Sequence, residues 1–288
     1  MPAKMPFRAF LAALLAAGGA AFMAEAQGRI GIQPASVELE LDAGQPMRQV
    51  VTVANLDPAR PVSVSLALAD WAFDAEGAPI FTPAGESDTS AAAWTRYGAP
   101  TISLAPGQSK QVFINLSTPE HPPRTGDYRV ALLASSVMKD AEGRWQKNQI
   151  ASIVSLTIGK ASSRPRIEAS RLTVTDAGDP AIGLDFSNTG NAHARLEGVI
   201  EVRSGTEIVI TQKLTDVIVP EKGVRTLVVP LGQPLPADAD IEIRLTNRFA
   251  PQTTRGEKAL PLHKVKTEAE AEAATEVADL SIPVGGLN

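Results

Sequence analysis

The chain has 288 residues, of which 44% are hydrophobic and 20% charged, enough apolar material for a buried core and room for two ordinary domains. Its 27 Lys and Arg against 32 Asp and Glu give a net charge of −5, which speaks against nucleic acid as a partner. There is no cysteine, so disulfides, thiol nucleophiles, zinc ribbons and iron–sulfur clusters are excluded together. The three histidines, His121, His193 and His263, stand too far apart for metal-ligand spacing, and no metal or cofactor is expected.

Residues 1–26 read as a signal peptide. Lys4 and Arg8 form a basic start, Ala9 to Ala21 an uncharged Ala/Leu-rich stretch, and Ala24-Glu25-Ala26 the small-residue pattern of a cleavage site before Gln27. The apolar stretch is short for a membrane helix, and no cysteine follows to carry a lipid. The sequence predicts an exported, periplasmic product with no membrane span once the signal is removed.

From Ile30 onward the pattern is one of strands and turns. Val37-Glu38-Leu39-Glu40-Leu41 alternates apolar and acidic residues and breaks at Asp42-Ala43-Gly44-Gln45. Gln49 to Val53 is β-branched and ends in the turn composition Asn55-Leu56-Asp57-Pro58. A third strand spans Val62 to Phe73; Gln111 to Leu116, Tyr128 to Leu133 and Ile150 to Ile158 complete a first set. The polar run Gly159 to Pro165 interrupts the pattern, which restarts at Leu172 to Val174, Ile182 to Phe186 and Leu196 to Val202. Glu207 to Val219, Thr226 to Val229 and Ile241 to Leu245 follow. Each set has the length and turn spacing of a seven-strand sandwich.

The fold class is therefore all-β, with two immunoglobulin-like β-sandwich domains in tandem. The first takes residues 27–159, a linker 160–165 and the second 166–263, before a low-complexity tail over 264–288. All three tryptophans and both tyrosines fall in the first domain. Functional aromatic contacts are expected there, with a mostly aliphatic core in the second.

Ile32-Gln33-Pro34 leading into Val37-Glu38-Leu39, then Val51-Thr52-Val53-Ala54-Asn55, and Ile102 to Gln108 followed by Val112-Phe113-Ile114 resemble the periplasmic pilus (fimbrial) assembly chaperones. Gly126-Asp127-Tyr128-Arg129-Val130 is similar to the start of that family's penultimate strand, with Tyr128 placed for a tyrosine-corner hydrogen bond. The resemblance implies that an edge strand is lent to a subunit that lacks one. The matching strand here is Gln149 to Ile158. Its parity Ile150, Val154, Leu156, Ile158 is apolar, and the other parity supplies Ala151, Ile153 and Ser155 as candidate partner-binding residues. The resemblance also implies a basic pair, one member on the first strand and one on this last strand, holding a carboxylate in the interdomain cleft. This chain departs from it: Ser36-Val37-Glu38-Leu39 offers no Arg or Lys, and Val154 and Ser155 stand where a lysine would be.

Nothing in the chain suggests catalysis. There is no Gly-x-Ser-x-Gly elbow, and the acidic turns at Asp176 to Pro180 and Asp238 to Asp240 are explained by turn chemistry without calcium. The expectation is a non-enzymatic, chaperone-like exported protein. Its partners would be exported subunits and an outer-membrane usher. The alternative is a cell-envelope structural or adhesion module that binds polymer or protein through its loops.

Overall fold

A computed structural model describes residues 30–139, 142–249 and 258–265. The signal peptide read over 1–26 lies outside them, as does the tail from residue 266 onward. Period-two alternation becomes strand throughout. The first domain runs β1 (Ile30–Gln33), β2 (Ser36–Leu41), β3 (Pro46–Asn55), β4 (Val62–Phe73), β5 (Pro79–Pro83), β6 (Thr95–Tyr97), β7 (Thr101–Leu104), β8 (Ser109–Ser117), β9 (Gly126–Lys139) and β10 (Trp145–Ile158). The second runs β11 (Pro165–Val174), β12 (Pro180–Asn188), β13 (Ala194–Ser204), β14 (Glu207–Val219), β15 (Val224–Pro230), β16 (Ala239–Asn247), β17 (Lys258–Ala259) and β18 (His263–Val265).

Each domain is two sheets face to face, the immunoglobulin-like sandwich. In the first, the order β1-β3-β8-β6 packs on β2-β10-β9-β4, with β5 and β7 pairing opposite ends of β4. In the second, β11-β12-β15 packs on β14-β13-β16, with β17 and β18 beside β16. The inner faces form two separate cores. Val51, Val64, Ile114, Leu132, Val154 and Leu156 anchor one, and Ile182, Phe186, Leu196, Ile200, Ile241 and Ile243 the other, which is aliphatic but for Phe186. The Tyr128 hydroxyl donates to the Arg124 carbonyl at 2.8 Å and accepts from the Arg124 amide at 3.0 Å, closing the tyrosine corner.

Two features of the first domain position the site. The chain crosses between sheets at Pro34–Ala35, so β1 pairs with β3 while β2 runs parallel to β10 from Ile153 to Ile158. The linker is also built into the domain joint. Ala161 is buried, the Ser162 amide donates to Asn191 Oδ1 at 2.7 Å, and the Arg164 amide donates to Asn188 Oδ1 at 2.9 Å. Gly126, at φ +106°, lets the Asp127 amide reach the Asn191 carbonyl at 2.9 Å; a Cβ on Gly126 would lie 2.0 Å from that oxygen. On the other flank the turn after β4 docks on the second domain, the Ala75 carbonyl accepting from the Thr226 amide at 2.7 Å. β18 runs two residues past 263, into the stretch read as tail, and buries Val265 in the second core.

Candidate functional site

β10 is flanked unevenly. β9 pairs with its whole length, whereas β2 lies beside only Ile153–Ile158. Along Trp145–Ser152 no strand lies on that second side among the described residues. The Ile153 amide donates to the Ala35 carbonyl at 2.9 Å, so odd-numbered residues of β10 direct their backbone groups away from β9. Gln149 and Ala151 therefore present N–H and C=O groups along an open margin, a template for another strand.

The side chains follow the same parity. Val154, Leu156 and Ile158 point into the core with no exposure, and Ile150 packs against it. Ala151, Ile153 and Ser155 are half-buried on the outer face. Their positions differ along the strand. Ile153 and Ser155 lie opposite Ser36 and Glu38 of β2, on the half already paired, while Ala151 sits beyond the start of β2. Leu133 and Ala67, in register with Ala151, continue a shallow apolar strip across β9 and β4. At the far end of the hairpin, Trp145 is 69% and Val137 58% exposed, and the Lys139 ammonium lies 5.1 Å from the Trp145 ring centre.

At its other end this face opens into a cleft between the domains, a cavity of about 220 Å³. Its first-domain walls are Ser36, Glu38, Trp71, Phe73, Arg129, Ile153 and Ser155; the second domain contributes His193, Arg195, Asp216 and Ile218. A register irregularity in β14, with Asp216 at φ +58°, aims Asp216 at Arg195 across the β13–β14 pair.

The polar groups of the cleft bond to one another across the domain boundary. Arg129 is ion-paired with Glu221, which Arg124 approaches at 3.8 Å, both carboxylate and Arg129 being buried. Arg195 pairs with Asp216 and, at 2.9 Å, with Glu38. Asp127 accepts the His193 amide at 2.7 Å, His193 Nδ1 at 2.8 Å and the Thr157 hydroxyl at 2.8 Å. The first domain thus holds its aromatic residues Trp71 and Phe73 at the cleft. Arg129 and Arg195, from β9 and β13, bring positive charge there, but each already has a carboxylate partner. Among the described residues no group of three or more His, Asp or Glu side chains is placed to hold a metal ion.

The sequence patterns did not bring these residues together, because Asp127 and His193 are separated by 66 positions. The signal available was local. Asp127 and Arg129 alternate along β9, and His193, just before β13, stands two residues from Arg195, so the spacing of each pair suits one side of an extended segment.

Burial alone would raise the Asp127 carboxyl, but the hydrogen bond and charge of His193, its amide and the Thr157 hydroxyl outweigh burial and hold it below the ordinary aspartate value. A depressed folded-state value contributes stability that is present above the unfolded value and lost as pH falls through the folded one. Asp127→Asn should therefore be less stable than the parent at neutral pH and lose less stability between pH 5 and pH 2, measured by urea unfolding across that range. Equal slopes for the two proteins would count against it. Glu221 works in the opposite sense: burial raises it above its ordinary value, so its contribution is lost as pH rises through that value.

Among the described residues no helix is long and apolar enough to cross a membrane. No known protein-family profile matches the chain, and no curated protein sequence does. Solved structures similar to it include the class 5 fimbriae chaperone CfaA, at 11% identity and TM-score 0.44, covering 83% of this chain and 100% of that one. The SafB chaperone, solved with the SafA pilin of Salmonella enterica, gives 13% identity and TM-score 0.39 over 81% of this chain and 96% of the other. The CsuC–CsuE chaperone–tip adhesion subunit complex of Acinetobacter baumannii gives 11% and 0.40 over 83% and 98%. The likeness to these chaperones is one of overall backbone course.

Proposed function

We propose that this chain is an exported, periplasmic, non-catalytic assembly chaperone that holds a partner subunit along the first half of β10. The observation that carries the reading is the open margin at Gln149 and Ala151, whose backbone groups face away from β9. The sequence resemblance to pilus assembly chaperones and the signal-like segment before Gln27 point the same way. In this reading Ala151 receives the added strand, and Ile153 and Ser155 line the mouth of the cleft that the strand approaches. The partner is an exported subunit awaiting a strand, with an outer-membrane usher as its next station.

The test is backbone-specific. Ala151→Pro removes an N–H directed away from β9, so the β9 ladder survives while ladder growth is blocked. The variant should melt within about 2 °C of the parent, which is about 0.5–1 kcal/mol at the 2–4 °C per kcal/mol typical of this size. It should also lose co-purification of envelope proteins from periplasmic extract. Capture of the same proteins by a folded Ala151→Pro protein would overturn edge donation and favour binding through the loops.

A further inference from the structure

We infer that segment 279–284 of this same chain lies along the open margin of β10 until a partner strand displaces it. The inference rests on the edge-strand reading above and adds what covers that edge before a partner arrives. It starts from the residues after β18. From Lys266 to Ala278 the sequence carries one bulky apolar residue, Val277, among Ala, Thr and Glu. Leu280, Ile282 and Val284 then stand at period two, and Gly285-Gly286 ends the run. That is the pattern of a short strand, which needs neighbours to be stable in water. Pro283 inside the run restricts such a strand to the outermost place in a sheet.

The edges of the second domain are blunted against it. β11 and β14 are bulged where their pairing shifts, at Ile167/Ala169 and opposite Leu196/Gly198 and Val202/Arg203. On β15 the Thr226 amide is already taken by the Ala75 carbonyl. The margin of β10 is within reach. Val265 lies opposite Ile241, six positions from Asn247 at the cleft end of β16, roughly 20 Å at strand rise. Asn247 Oδ1 accepts the Arg195 amide at 3.0 Å, and Arg195 and Ile153 line the same cleft. Crossing it adds about 10 Å, the spacing of packed layers. The fourteen residues 266–279 span up to about 46 Å when extended, more than the path from Val265 to Ala151 requires.

Direction and register follow. A segment arriving from the cleft runs antiparallel to β10, whose own course is toward the second domain. Pro283 has no N–H and turns its backbone away from β10, so Leu280, Ile282 and Val284, of the other parity, give their backbone groups to the margin. They meet Ala151, Gln149 and Lys147 in that order. Directly opposed residues of an antiparallel pair share a face, so the apolar row falls on the outer face, beside the strip of Ala151, Leu133 and Ala67. The proline and the apolar strip thus select the same register. Little affinity is needed, because the tether holds the segment at a local concentration of about millimolar order. A subunit that binds more tightly can still displace it.

Residue-resolved amide hydrogen exchange of the full chain, set against a chain ended after Ala278, tests this. The Gln149 and Ala151 amides should exchange at least about ten-fold faster in the shortened chain, since the tethered partner is gone. The Ile150 and Ser152 amides, held by β9, should not change. Dilution of the full chain should leave the protection in place. A peptide of residues 279–286 should restore it to the shortened chain, and Ile282→Asp in the full chain should remove it. Equal exchange in the two chains would overturn the inference, as would protection that falls on dilution, which would assign the margin to a second copy. Ala151→Pro keeps the two readings apart. Equal exchange together with capture lost in Ala151→Pro removes the self-covering segment alone. Protection that depends on 279–284, together with capture retained by Ala151→Pro, removes edge donation to a partner alone.

Discussion

Replacing Arg129 by methionine should be among the most damaging single changes to this protein. The substitution leaves Glu221, 8% exposed and facing the domain joint, without its closest cation. Arg124, the remaining one, is 3.8 Å away. Removing one member of a buried pair costs about 3–5 kcal/mol, which for a folded region of this size lowers the melting temperature by roughly 10 °C. The double change Arg129→Met with Glu221→Leu should recover most of the loss, because an apolar pair of similar volume needs no counter-charge. Thermal melts of the three proteins decide it. A single variant that melts with the parent would mean that the Glu221 carboxylate is reached by water or is already neutral.

Val154→Asp should be as harmful for a different reason. Val154 has no exposure and sits between β9 and β2, where its carbonyl accepts from Trp71 Nε1 at 3.2 Å. A carboxyl placed there meets only apolar neighbours of the core, at a cost of about 4 kcal/mol or more. The adjacent Ile153→Asp puts the same group on the outer face, at a half-buried position in the cleft wall, and should cost less than half as much. Far-ultraviolet dichroism against urea separates the two. Equal destabilisation would show that the outer face is as dry as the inner one.

The contrast between those neighbours was legible in the sequence, because alternation over Ile150 to Ile158 fixes two parities and an apolar row goes inside. So were the strands at Val37 to Leu41, Val62 to Phe73 and Gln111 to Leu116, and the aliphatic second core. Pairing partners were harder to read. The parallel pairing of β2 with β10 joins residues more than a hundred positions apart, and alternation says nothing of which strand lies alongside. The short strand Pro79–Pro83 has a proline at each end and all five residues exposed, so it shows no buried face to read. The cleft was hidden for a related reason. Asp127, His193 and Glu221 look like surface charges along a sequence, and only the approach of the two domains turns them into buried partners. The polar run at Gly159 to Pro165 reads as a free connection, whereas its amides are taken up by Asn188 and Asn191.

The way β2 begins has a bearing on what a guest strand can be. Its leading residues, Pro34 and Ala35, stand against Ser152 and Ile153, with the Ala35 carbonyl on the Ile153 amide and the Pro34 carbonyl on the Ser152 hydroxyl at 2.7 Å. A segment added beside Trp145–Ser152 would meet this obstruction after about eight residues, roughly 27 Å at strand rise. Its position would then be set by collision, as a rod is seated against the bottom of a socket, and not by matching one side chain to another. Guests of unrelated sequence could all be held at one depth, and a longer one would have to bend away at the cleft mouth.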